Sequence, residues 1–185
     1  MNLSCFHQWV REKKTDTLVM GILNITPDSF SDGGKYELVD KAVQFALQME
    51  DEGADIIDIG GESTRPGANS VSVLEECSRV VPVIEGLKAK SEVFISIDTY
   101  KSDVARQSIK AGAEMVNDIS GMTFDSNMAK LISESKLPVV LMHIKGTPKN
   151  MQVNPNYDDL IKEVSDYLRD RVKFAKENGV KEWQM

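Results

Sequence analysis

Cysteine is scarce. The only two, Cys5 and Cys77, stand 72 positions apart in 185 residues and make no CxxC or metal-ligand spacing. A disulfide scaffold is thereby excluded, and a reduced, cytoplasmic location is the expectation. Long apolar runs are missing as well: none approaches the ~18 residues that a membrane helix needs. The opening MNLSCFHQWVREKK holds no signal-peptide core. Basic residues are in the minority, with 22 Lys and Arg against 29 Asp and Glu and a net charge of −7. That balance argues against a general nucleic-acid binder, which carries a basic stripe. No Walker motif, GxGxxG or HExxH occurs, so nucleotide hydrolysis and zinc proteolysis lack their usual signatures. Low-complexity tracts are absent, and 41% hydrophobic content is too high for disorder.

What is present is an alternation. Five short runs rich in Val and Ile read as strands: 18–25 (LVMGILNI), 55–59 (DIIDI), 93–97 (VFISI), 115–119 (MVNDI) and 138–142 (PVVLM). They are nearly continuously apolar, as strands buried on both faces are in parallel sheets. Between them, apolar residues at helical spacing predict helices over 39–52, 73–87, 102–111, 128–135 and 160–177. Gly53, Gly112 and Gly179 close three of these and supply left-handed caps. Strict β-α alternation predicts a parallel α/β fold, either a barrel or a doubly wound sheet. After Gly179, VKEWQM reads as the opening of a sixth strand. Residues 1–17 read as an N-terminal extension, and the whole chain reads as one domain. A (β/α) barrel usually takes about 250 residues, so the expected barrel is incomplete here, with about five βα units.

Each run ends in polar groups: Asn24, then Asp58 and Glu62, Asp98 and Thr99, Asn117 and Asp118, and His143. In parallel α/β folds these ends share one face, where ligands bind. Any one of them alone reads as a local cap or Asx turn; five together read as a site. Two βα loops, residues 26–38 and 60–72, run to about a dozen residues where about 2–6 is usual, and long ordered loops are commonly functional. The first places Asp28 and Asp32 behind Asn24. Amide and carboxylate oxygens are hard ligands that suit Mg²⁺ with phosphate oxygens. The second offers Ser63, Thr64 and Arg65 to an anion or a carboxylate, beside Gly60 and Gly61, which admit close approach to the backbone. His143 is either a base or a histidine satisfied at a strand end.

These motifs, MGILNITPDSFSDGG (20–34), GGESTRPGA (60–68), SIDTYK (96–101), NDISG (117–121) and MHIKGTPKNMQ (142–152), resemble those of dihydropteroate synthases in order and spacing. The resemblance covers about 18–185. It implies a (β/α)₈ TIM barrel that joins a dihydropterin pyrophosphate to p-aminobenzoate, giving 7,8-dihydropteroate and pyrophosphate in folate synthesis. It implies Asn24 as the Mg²⁺ ligand, and Asp28 and Asp32 as acidic members of the first loop. Asp98 and Asn117 would sit in the pterin pocket, with Ile119 and Met142 lining it. Thr64, Arg65 and Pro66 would face p-aminobenzoate and the pyrophosphate, where sulfonamides compete. A homodimer of the complete protein is a further implication. The family's later motifs do not occur, so the chain reads as the N-terminal two-thirds of the barrel domain, inactive alone. The alternatives are a pterin-barrel methyltransferase, which lacks the TPDSFSDGG loop, and a non-catalytic or vestigial pterin-binding protein.

Overall fold

A computed structural model describes residues 2–12, 17–26, 35–63 and 70–185. Five strands form one sheet: β1 (Met20–Asn24), β2 (Ile56–Gly60), β3 (Phe94–Asp98), β4 (Met115–Asp118) and β5 (Val139–Leu141). All neighbours are parallel and the spatial order is β1-β2-β3-β4-β5. A doubly wound sheet reverses its strand order at a switch point. This sheet has no reversal, and its order is that of a barrel through five units.

The connecting helices are α2 (Lys35–Asp51), α3 (Val73–Lys88), α4 (Ser102–Ala111), α5 (Met128–Ser135) and, after β5, α6 (Leu160–Glu177). They follow from local signals. Ser72 caps α3 by accepting the Glu75 N–H at 3.2 Å, and Asp159 caps α6 by accepting that of Lys162 at 3.0 Å. Gly53, Gly112 and Gly179 have φ of 106°, 122° and 90°, the region in which a glycine closes a helix without Cβ strain.

Strand alternation divides the side chains into two faces. Leu23, Ile57, Ile59, Ile95, Ile97 and Val116 point outward and pack with α2–α5 in the main core. Ile56, Phe94 and Met115 point the other way and form a second core with Phe6. Phe6 belongs to α1 (Leu3–Glu12), a helix the sequence reading does not assign within its N-terminal extension. The Phe6 ring stacks on Phe94 at 5.2 Å and on Trp9 at 6.0 Å. Helix α1 therefore floors the inner face at the N-terminal ends of the strands.

The expected opening of a sixth strand is corrected. Glu182–Gln184 form a turn of 3₁₀-helix. Gln184 is 2% exposed and donates to the carbonyls of Ile132 (3.0 Å) and Leu137 (2.9 Å), satisfying acceptors at the end of α5. Trp183 meets the His7 ring edge-on at 4.4 Å. These bonds hold the segment in a turn, whereas a strand there would need the edge of β5. Among the described residues, β1 and β5 each pair on one side only.

Candidate functional site

Parallel register puts side chains from different strands in one row. Asn24 pairs with Gly60, Gly60 with Asp98, and Asp98 with Asn117. All four lie at the C-terminal strand ends, opposite α1. One step below lie Ile22, Asp58 and Ser96 on the same face. Gly60 makes a notch in the upper row. A Cβ built there would stand 3.3 Å from Asn24 Oδ1 and 3.5 Å from Asp98 Oδ2. Any side chain at position 60 would crowd both oxygens.

Beneath the notch the groups are acceptors. Asn117 Nδ2 donates to Asp58 Oδ2 at 2.9 Å, which turns the amide so that its oxygen remains to accept. Asp58 Oδ1 and Asp98 Oδ1 are buried without a hydrogen bond of standard geometry among the described residues. Buried carboxylate oxygens left this way are costly and await donors. The electrostatics agree. Burial, then the charges of Asp58, Glu76, Asp118 and Glu62, pushes Asp98 up to about 7. Burial also raises Asp58, against the pull of the Ser96 hydroxyl and the Asn117 amide. This set of acceptors suits a ligand edge rich in N–H groups.

The neighbouring Asp118 does something else. It faces outward and is spent on its own loop, accepting from Ser120 N (2.8 Å), Ser120 Oγ (2.7 Å) and Met122 N (2.9 Å). Ile119 is 7% exposed just beyond β4, and Met142 is 38% exposed just beyond β5, its N–H on Asp118 O at 3.3 Å. His143 meets Tyr167 edge-on at 4.8 Å and lies 6.0 Å from Tyr157. Asp28, Asp32, Thr64, Arg65 and Pro66 lie outside the described residues. Among the described residues no group of three His, Cys, Asp or Glu side chains could hold a metal ion.

Sequence reasoning passed over two parts of this region. Asp58 stands out as a strand-end polar group, but its pairing with Asn117 spans 59 positions and needs the register. The second is a buried charge cluster beside the row. Lys101 Nζ contacts Glu62 Oε2 and Glu76 Oε2, both at 2.5 Å, and Tyr100 OH donates to Glu62 Oε1 at 2.7 Å. Glu62 in GGESTRP and the Tyr100–Lys101 pair in SIDTYK are its sequence signal, and Glu76 stands outside both motifs.

Residues 20–185 match the family described as "Pterin binding enzyme". Dihydropteroate synthase of Bacillus subtilis (strain 168) is 54% identical over 169 residues, which are 91% of this chain and 57% of that protein. Dihydropteroate synthase of Xanthomonas albilineans has been solved with 4-aminobenzoic acid. That structure superposes with a TM-score of 0.84 at 44% identity, over 92% of this chain and 60% of that one. A second structure from that organism, in complex with 7,8-dihydropteroate, gives a TM-score of 0.78 at 40% identity, over 90% and 58% of the two chains. This chain thus spans 57% to 60% of the length of these three relatives, and with a match over most of its own length it belongs to the pterin binding enzyme family.

Proposed function

We propose that the complete protein is a dihydropteroate synthase, a transferase that condenses 6-hydroxymethyl-7,8-dihydropterin pyrophosphate with p-aminobenzoate. The observation that carries this reading is the acceptor set of Asp58, Asp98 and Asn117 beneath the Gly60 notch. A pterin presents a guanidine-like edge of N–H donors, and this set accepts them. Ile119 and Met142 wall the ring. Held there, the pterin directs its exocyclic methylene outward, past the notch.

The aniline nitrogen of p-aminobenzoate forms the new C–N bond at that methylene. The C–O bond to pyrophosphate breaks, pyrophosphate leaves, and the nitrogen releases a proton. The protein's part is to hold both partners in line and to steady the leaving group. In this reading Thr64, Arg65 and Pro66 face p-aminobenzoate and the pyrophosphate, and Asp28 and Asp32 close the first loop over it. Asn24 is the protein ligand to Mg²⁺. Its amide oxygen fits, being a hard, neutral donor on an exposed residue that borders the notch. Bound there, Mg²⁺ would offset the charge of the pyrophosphate.

Residues 1–185 then belong to one barrel domain, of which the described sheet forms five units. The finer expectations go with this reading: a cytoplasmic protein, a homodimer when complete, small molecules rather than nucleic acid as partners. No helix among the described residues is long and apolar enough to cross a membrane. The test is direct. The full-length protein, given both substrates and Mg²⁺, is expected to form dihydropteroate and release pyrophosphate one for one, and a sulfonamide should compete with p-aminobenzoate. No product from a cooperatively folded full-length protein refutes the reading.

A further inference from the structure

A buried cluster of charges surrounds Lys101. The Lys101 ammonium has three donors and three protein acceptors: Glu62 Oε2 at 2.5 Å, Glu76 Oε2 at 2.5 Å and Val71 O at 2.8 Å. Its side chain is 14% exposed, those of Glu62 and Glu76 7% and 1%. Glu62 uses both of its oxygens, since its Oε2 also accepts the Val71 N–H at 2.8 Å and its Oε1 the Tyr100 hydroxyl at 2.7 Å. Burial alone would lower the lysine's pKa, but the two carboxylates outweigh it and hold the ammonium charged. Two buried carboxylates around one ammonium carry a net negative charge, which is weak evidence for stability.

The cluster is notable for what it joins. Glu62 and Val71 are the two described feet of the second long loop. Lys101 stands three positions after Asp98, on the turn leaving β3, and Glu76 is in the first turn of α3. One ammonium thus ties both feet to the strand end that carries Asp98. Strand β2 and α3 do not need it to meet. Arg79 Nη1 donates to Gly61 O at 2.6 Å, and a Cβ on Gly61 would stand 2.8 Å from Val80 Cγ1, so that contact is already close.

Resting on the proposed synthase reading, we propose that Lys101, with Glu62, Glu76 and Tyr100, is a positioning clasp that fixes the feet of the 62–71 loop relative to Asp98. It sets the separation of the two substrates and touches neither. Only the feet, residues 61–63 and 70–72, enter this inference.

The test uses the full-length protein with Lys101→Met and Tyr100→Phe. Lys101→Met leaves two buried carboxylates without a counter-charge, and its folding is at risk. Tyr100→Phe removes a single hydroxyl and keeps the test open. Each variant is expected to raise the KM for p-aminobenzoate about tenfold, the size of one lost hydrogen bond to a charged group. Dissociation of the pterin pyrophosphate, followed by calorimetry, should stay within twofold. Hydrogen exchange at the Val71 amide should speed up while that of the β-strands stays at the wild-type rate. If only Tm falls, with both KM values and the Val71 exchange at wild-type level, the cluster is a brace of the fold and the inference is wrong. Equal weakening of both substrates also overturns it. A wild-type protein that makes no dihydropteroate refutes the synthase reading, and the exchange experiment then still decides the clasp.

Discussion

Asp98 carries the sharpest expectation at the scale of single residues. Its carboxyl titrates near 7 in the folded protein against an ordinary 3.8. Between pH about 4 and about 7 the native state holds a proton that the unfolded chain has released. Raising the pH across that window therefore lowers the stability of the unliganded protein. Pterin binding moves oppositely, because the ionised carboxylate is the better acceptor: affinity should rise as pH passes about 7 and then level. Asp98→Asn turns one acceptor into a donor that faces donors. It should cost at least ~1–3 kcal/mol of pterin binding and abolish the pH dependence, both readable by calorimetry. Unchanged affinity would sink the assignment. Asn24→Ala makes a separate prediction. It should weaken the pterin pyrophosphate in the presence of Mg²⁺ far more than the pterin alcohol without pyrophosphate, and equal losses would remove Asn24 from the metal site. Much of this row was legible in the sequence. Asn24, Asp98 and Asn117 each end a strand-like run, and alternation alone separates an inward Asn117 from an outward Asp118. The Asp58–Asn117 bond and the Lys101 cluster were not legible, because both depend on register between distant segments.

Elements were the most readable level for the helices and strands that alternate. Helices α4, α5 and α6 begin and end where apolar spacing and glycine caps place them, and each strand matches its run to within a few residues. Helix α1 is the exception. Leu3, Phe6 and Val10 recur at helical spacing, but nothing local says what they pack against. Their partners are Ile56, Phe94 and Met115, on three different strands. Phe6 is 8% exposed at the centre of that contact. Phe6→Ala should cost about 3 kcal/mol in denaturant unfolding, the low end for a buried phenylalanine. It should leave the C-terminal row in place, so pterin affinity at saturating stability stays near wild type. A loss below about 1 kcal/mol would mean that α1 is only loosely docked.

Across the whole molecule, the sheet order is the decisive feature, and it leaves an asymmetry. The outer face is covered by helices, while the inner face beyond α1 is partly bare. Ile22 is 66% exposed there, Met20 37% and Val140 39%, beside the single-sided edges of β1 and β5. Exposed apolar edges pair with other chains. Residues 1–185 produced alone are therefore expected to self-associate, sedimenting as large species and binding a hydrophobic dye, and Ile22→Lys should reduce both. A monomer that melts cooperatively without dye binding would contradict this. The same order has a consequence for synthesis on the ribosome. Each strand pairs with the one translated just before it, so the sheet can grow as the chain emerges, without inserting a late strand between early ones. Helix α1 is made first but finds its seat only after β3 and β4 exist. At roughly 5–20 residues per second, Phe6 and Trp9 wait some ~5–20 seconds for Phe94 and Met115, and in that interval the nascent chain displays the apolar side chains of Leu3, Phe6, Trp9 and Val10 to whatever chaperone stands at the exit tunnel.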